Sequence, residues 1–300
     1  MSRIRLSIVV IAYNMAREIP RTIRSLSPQM QREISADDYE IIIVDNGSKD
    51  AVDEHACSQW GGNLRFICVQ NPQASPTVAI NRGIAEARGD LVGVMIDGAR
   101  MASPGLLANA LRAAKLCPRP VIASLGFHLG TEVQMQSVLK GYDQQAEDKL
   151  LDSVEWFADG YRLFDISVFA GSSAQGCFQP ISESNALFLP TGLWKVLGGF
   201  DEQFVSPGGG LVNLDTYVRA CELPGSQLII LLGEGTFHQV HGGVATNNRV
   251  LPWQEFHAEY VRLRGKDYAP PTARPWHFGQ IQRPAMKSIE LSAQLAGNRV

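Results

Sequence analysis

The chain contains no apolar run approaching the roughly 20 residues that a membrane-spanning helix requires. Its opening, MSRIRLSIVV, sets basic residues before apolar ones, as a signal peptide does. That apolar run is short, lacks a small-residue cleavage site and continues into a strand pattern, so no signal peptide is expected. Cysteine is sparse: Cys57, Cys68, Cys117, Cys177 and Cys221 are odd in number, scattered, and form no CxxC pair. A disulfide framework is therefore not expected, and the thiols read as reduced groups in a cytoplasmic protein, at most peripheral to a membrane. Excess charge is also missing, since a net charge of -3 gives no pull toward nucleic acid. No GxGxxG follows the first strand pattern, which speaks against a dinucleotide-dependent dehydrogenase. The want of a glycine-rich phosphate loop there disfavours a nucleotidyltransferase in the same way. No internal repeat or low-complexity tract is present.

What is present suits one large α/β domain, alone or with a tail: 300 residues of which 45% are hydrophobic. LSIVVIAYN at 6–14 and YEIIIVDNGSKD at 39–50 are β-branched runs that end abruptly in polar groups. Such runs have no helical period and read as strands buried on both faces, the signature of a parallel sheet. Ligands of open sheets sit beyond the carboxyl ends of the strands. Ala12, Tyr13 and Asn14 fall there after the first strand, and Asp45, Asn46 and Ser48 after the second. An acid and an aromatic ring at one crevice suit a flat, hydrogen-bonding ligand such as a nucleobase. Asp45-Asn46-Gly47 also reads as turn or helix-cap chemistry, and Tyr13 as a core aromatic.

The alternation continues with a helix over 16–26, a strand over 64–69, a helix over 76–87 and a strand over 91–96 that ends in Asp97. Ser103-Pro104 reads as the cap and first turn of a helix running to 116, followed by a strand over 121–125. From 126 to 180 the rhythm changes. An acidic stretch there, with Trp156 and Phe157 among its charges, reads as a solvated amphipathic helix or as a lid over a second substrate. Strand and helix patterns return at 185–189, 192–197, 214–222 and 227–232, with a turn at Gly198-Gly199. Beyond Asn248 the chain is rich in proline, arginine and aromatics (Trp253, Phe256, Tyr260, Trp276, Phe278), which suits a tail packed across the domain.

Four markers occur in a fixed order: AYN at 12–14, VDNGSKD at 44–50, the acid Asp97 of MIDGAR, and GGFDEQF at 198–204. Together they resemble a family 2 glycosyltransferase of the GT-A fold over roughly residues 6 to 245. The resemblance implies an α/β nucleotide-diphospho-sugar transferase fold, with a mostly parallel central sheet flanked by helices. It places the GT-A domain at 1–247, with a nucleotide-binding half (6–125) and an acceptor-binding half (126–247), and leaves 248–300 as an extension packed on the domain. It implies that Ala12 and Tyr13, with Asn14 beside them, lie against the base of a nucleotide-sugar donor, and that Asp45 accepts from the base edge. Asn81 would help close the donor pocket, and Arg82 would neutralise phosphate. Asp97 matches the first acid of a DxD-type motif, touching ribose and a divalent metal, Mn²⁺ or Mg²⁺. A hard cation bridging two phosphates stabilises the leaving diphosphate. Asn185 and the GGFDEQF turn would form the acceptor side.

Two departures stand out. The DxD-type motif reads Asp97-Gly98-Ala99, without its second acid, and Arg100 follows as a planar fork able to pair with diphosphate oxygens. In the stretch PGGGLVNLDTYVRA, Asn213, Leu214, Asp215 and Arg219 match a GGEN-L-[DE] form, but Val212 occupies the place of the expected acid. Asp215 is then the expected general base, with Glu183 and Glu234 as fallbacks. Its plainer reading is a first-turn helix acid favoured by the dipole. The family often places a metal- or diphosphate-binding histidine near His238 and His241, so Asp97 and these histidines are the expected cation ligands. Imidazole shifts the preference toward Mn²⁺. The activity implied is inverting transfer of a sugar from a nucleotide diphosphate to a glycan or glycolipid hydroxyl, in polysaccharide or glycolipid assembly. The alternative, raised by Ala99 and Val212, is a catalytically silent GT-A domain that binds nucleotide sugar or glycan for a partner enzyme.

Overall fold

The computed structural model describes residues 3–61, 63–242 and 253–297. The chain opens with β1 (Leu6–Ala12), α1 (Ile19–Leu26), β2 (Tyr39–Asp45), α2 (Glu54–Ser58), β3 (Asn63–Cys68), α3 (Thr77–Glu86) and β4 (Leu91–Met95). Every residue of β1 and β4 is buried, as is all of β2 but Asp45. The continuous β-branched runs thus form the doubly covered centre of a parallel sheet. Val10 is opposite Met95, and Ala12 is opposite Asp45, so the carboxyl ends of β4, β1 and β2 line up. From β1 the chain builds outward through β2 and β3, then returns to add β4 on the other side. This reversal opens a crevice above the strand tips.

The second half holds β5 (Arg100–Ala102), α4 (Leu106–Ala113), β6 (Pro120–Leu129), α5 (Gln134–Leu139), α6 (Gln144–Ser153), β7 (Ser167–Phe169), β8 (Ala186–Pro190), α7 (Thr191–Leu197), α8 (Val212–Glu222) and β9 (Gln227–His238). The sheet order is β9-β6-β8-β4-β1-β2-β3, with β5 on β9 and β7 on β6. β8 is antiparallel to both β4 and β6, while β6 and β9 are parallel.

Three local expectations are corrected. The helix expected from Ser103 starts at Leu106, because the Ser103 hydroxyl donates to buried Glu234 at 2.5 Å and does not cap. β9 extends to His238, six residues past the apolar run, and β5 pairs with its added length. Within the 126–180 segment α6 is the expected amphipathic helix, with Gln144, Gln145, Lys149 and Asp152 exposed, but its acids are not all on the solvated face. Glu147 on α6 is fully buried and paired with Arg17 and Arg21, and its Oε2 accepts from the Val240 amide at 2.6 Å. Trp156 is buried, and the Arg24 guanidinium of α1 stacks on Trp60, Trp156 and Phe157.

The C-terminal part adds α9 (Trp253–Arg264), β10 (Trp276–Phe278) and α10 (Met286–Gly297). It packs on the domain as expected of a tail: Phe256 and Tyr260 are buried, and β10 extends the sheet beside β9. The expected boundary at 247/248 lies outside the described residues. All five cysteines are free thiols. Among the described residues, no helix is long and apolar enough to cross a membrane.

Candidate active site

The tips of β1 and β2 form one wall of the crevice. Tyr13 is not a core aromatic: it is 52% exposed. Asn14 adopts a left-handed conformation and knits the two strand ends together. Its amide donates to Ser48 Oγ and its Oδ1 accepts from the Lys49 amide, each at 2.8 Å. Asp45 Oδ1 accepts from the Ser48 amide at 2.7 Å, so one oxygen holds the turn. The helix cap falls to Asp53, whose Oδ1 accepts from the Ala56 amide. Asn14 is exposed, so it braces the wall and is also part of its surface.

Across the crevice, the β4–β5 loop and the end of β9 bring together Asp97, His238 and His241, with one donor atom from each lying within 4.8 Å of the others. Asp97 Oδ2 is 2.8 Å from His238 Nε2 and 3.3 Å from His241 Nε2, and the two imidazole nitrogens are 3.2 Å apart. Asp97 Oδ1 accepts from the Ala99 amide, which aims Oδ2 at the rings. Burial holds His238 down at about 4, so its ring is neutral. Burial also opposes the charge on His241, but Asp97 outweighs it and holds that ring above its usual value. His238 Nδ1 meets Gln134 Oε1, leaving Nε2 to present its lone pair to the cluster. Gln134 is itself held by His128, whose Nδ1 accepts the Gln134 amide at 2.9 Å. Burial pushes His128 down to about 2, so it stays a neutral acceptor.

The missing second acid of the DxD-type motif has a local cause. A Cβ on Gly98 would lie 2.6 Å from the Ile11 carbonyl oxygen, and Ala99 is fully buried in the apolar core. A carboxylate at either place would clash or be desolvated without a partner. Arg100, also buried, sits opposite His238 in the β5–β9 pairing. Burial lowers its pKa, while Asp97 and Glu183 oppose that shift. Its Nε and Nη1, and Nδ2 of Asn185, are buried without a hydrogen-bond partner among the described residues.

Three expected site residues are engaged by other contacts. Asn81 has its side chain committed to a turn. It brackets the GGFDEQF turn, accepting from the Phe200 amide at 2.9 Å and donating to the Phe200 carbonyl at 2.8 Å. Gly199 is required there, because its φ is +70° and a Cβ would lie 2.5 Å from Asn81 Oδ1. Arg82 lies on the solvated face of α3 and pairs with Glu86 one turn on. Asp215 is 1% exposed, and both its oxygens are taken by guanidinium groups of Arg219 and Arg264. The expected base has no oxygen facing an acceptor, and the first-turn position on α8 serves an ion pair instead. A groove of about 570 Å³, lined by Asn81, Phe200, Asp201, Glu202, Arg219 and Arg264, lies behind this turn and draws nothing from the strand tips. The fallback Glu234 is buried as a hub, accepting from Ser103, Gly105, Asn109 and Tyr161. Arg264, in the tail, carried no signal that would have paired it with Asp215.

The family model described as Glycosyl transferase family 2 matches residues 7–161. Over 304 positions the chain is 26% identical to validoxylamine A glucosyltransferase of Streptomyces hygroscopicus subsp. jinggangensis, covering 98% of this chain and 70% of that protein. The mannosyltransferase PcManGT of Pyrobaculum calidifontis, solved with GDP-Man and Mn²⁺, is similar at TM-score 0.53 and 16% identity, covering 98% of this chain and 70% of that one. S. aureus TarS 1–349 with UDP-GlcNAc reaches TM-score 0.56 at 14% identity over 98% of this chain and 72% of the other. A further TarS 1–349 structure has TM-score 0.51 at 15% identity, and there the match spans 75% of this chain and only 58% of that chain. These likenesses show the GT-A fold.

Proposed function

The chain belongs to glycosyl transferase family 2, and we propose that it moves a sugar from a nucleotide diphosphate to a hydroxyl of a glycan or glycolipid, with inversion at the anomeric carbon. In this reading residues 6–125 bind the nucleotide and 126–247 the acceptor. The base lies against Ala12 and Tyr13, with its edge on Asp45 Oδ2, which has no hydrogen-bond partner among the described residues. The observation that carries the reading is the Asp97–His238–His241 cluster beside the aligned tips of β1, β2 and β4. Three lone-pair donors crowd one point, one oxygen and two imidazole nitrogens, a set that fits a divalent cation and favours Mn²⁺ over Mg²⁺. Asp97, His238 and His241 would hold that cation. When bound, it would offset charge developing on the departing diphosphate. Arg100, buried with unpaired N–H groups, adds fixed positive charge for the same oxygens. The relative named for glucosyl transfer makes a glucosyl donor the first to try. The five free thiols suit a reducing cytoplasmic setting, and assembly of a polysaccharide or glycolipid is the role that fits such a donor.

A thermal-shift screen of UDP, GDP and other nucleoside diphosphates, with and without Mn²⁺ and Mg²⁺, tests this reading. One nucleotide should stabilise the protein, and more so with Mn²⁺. No stabilisation by any nucleotide would end the proposal. The buried Val212 and the occupied Asp215 favour a second reading, a silent domain that binds nucleotide sugar for a partner enzyme. Nucleotide binding without hydrolysis of UDP-glucose, UDP-GlcNAc or GDP-mannose would select it.

A further inference from the structure

With Val212 unable to take a proton, Asp215 occupied and Glu234 enclosed by four donors, Glu183 is the candidate base that keeps an oxygen to spare. Glu183 is partly buried in the segment that leads into β8. Asn213, in the first turn of α8, donates through Nδ2 to Glu183 Oε2 at 2.6 Å and to the Ser184 carbonyl at 3.2 Å. Glu183 Oε1 has no hydrogen-bond partner among the described residues. Ala186 pairs with Met95, so the segment that carries Glu183 enters β8 beside the end of β4 that leads to Asp97, and Arg100 feels both carboxylates. A Cβ on Gly126 would lie 3.0 Å from Asn185 Nδ2 and 3.6 Å from Arg100 Nη1, so two unpartnered, buried donors border one small space. Buried donors without partners are costly, and oxygens of a bound substrate would satisfy them.

We propose that Glu183 removes the proton from the acceptor hydroxyl. This rests on the glycosyltransferase reading and supplies the base that Val212 and Asp215 do not. As the acceptor oxygen bonds to the anomeric carbon, the bond from that carbon to the phosphate oxygen breaks, and its electron pair stays on the diphosphate. The hydroxyl proton passes to Glu183 Oε1. Asn213 is a positioning residue: by occupying Oε2 it turns Oε1 toward the acceptor. Arg100 and Asn185 meet the oxygens between the two carboxylates.

The test uses the full chain and whichever of UDP-glucose, UDP-GlcNAc or GDP-mannose the wild type hydrolyses or transfers fastest with Mn²⁺. Glu183→Gln keeps the shape and the bond from Asn213. It should bind the matching nucleoside diphosphate within twofold of wild type by calorimetry, while kcat falls about 10²- to 10⁴-fold with little change in donor KM. Glu183→Asp should recover part of the rate, and the acid limb of the kcat/KM profile should vanish in Glu183→Gln. A Glu183→Gln protein with more than a tenth of wild-type kcat and its acid limb intact overturns the assignment while leaving the transferase reading standing. Loss of nucleotide binding together with turnover overturns it too, since Glu183 would then belong to the donor site or the fold. A wild type that binds no nucleotide and turns over no donor overturns both readings.

Discussion

Arg264 donates from Nε to Asp215 Oδ1 at 2.5 Å and from Nη2 to Asp215 Oδ2 at 2.8 Å, a two-pronged pair joining α9 to α8. The same guanidinium reaches Asp201 Oδ2 at 2.7 Å, and Arg219 reaches Asp215 Oδ2 at 2.7 Å and the Gly199 carbonyl at 2.9 Å. The acid in the matching place for a catalytic base is therefore the centre of a brace that holds the GGFDEQF turn. Substituting Asp215 by Ala leaves two guanidinium groups facing each other with little solvent. The expected loss is about 3–5 kcal/mol of stability, read by urea denaturation. An unchanged midpoint would show that the brace carries no such load.

The cation cluster makes a separate prediction. In excess Mn²⁺, at about 100 times its Kd, the wild type should gain roughly 2.7 kcal/mol, seen as a rise in Tm. Asp97→Asn should lose most of that gain, and Asp97→Ala should abolish turnover. Full activity in Asp97→Ala would remove this carboxylate from the mechanism.

Tyr13 offers an exposed ring at the tip of β1. Replacing it by Ala removes a stacking face worth up to about 1.5 kcal/mol, so nucleotide affinity should weaken up to about tenfold in a titration. Stability should move by no more than about 0.5 kcal/mol, because the side chain buries little. Tyr13→Phe should bind nearly as well as wild type. An unchanged affinity in Tyr13→Ala would place the base elsewhere.

Glu234 gives the fold a pH dependence. Burial raises its pKa from 4.5 to about 7, despite four donors that favour the charged form. Between those values the folded protein binds this proton more tightly than the unfolded chain. Stability from this group is therefore present below about pH 4.5 and is lost as pH rises through about 7. The Tm of wild type should fall more steeply from pH 5 to pH 8 than that of Glu234→Gln. Parallel Tm profiles would assign the pH dependence to other groups.

Much of the fold was legible because its strands announce themselves chemically. IVVIA and IIIV admit no amphipathic period, and each stops at groups that need water or a partner. The grouping of Asp97, His238 and His241 was also visible, as one acid ending a strand and two histidines three positions apart. What stayed hidden depends on distant chain or on which way a side chain faces. Asp215 reads as a reactive acid until Arg264, 49 residues later, is seen to close over it. Arg82 and Asn81 are neighbours on one helix, yet one faces solvent and the other a turn 119 residues away. β9 is longer than its apolar run because Gly233, Glu234 and Gly235 interrupt that run at an irregularity, and backbone pairing to β6 resumes at Gly235.

The bond from the Val240 amide to Glu147 places one end of α6 in the short link between His238 and His241. Both histidines therefore inherit their spacing from a helix nearly a hundred residues upstream, and that helix is tied to α1 through Arg21 and to the turn before it through Arg17. A displacement of α6 would pull on the Val240 amide and change the separation of the two imidazoles.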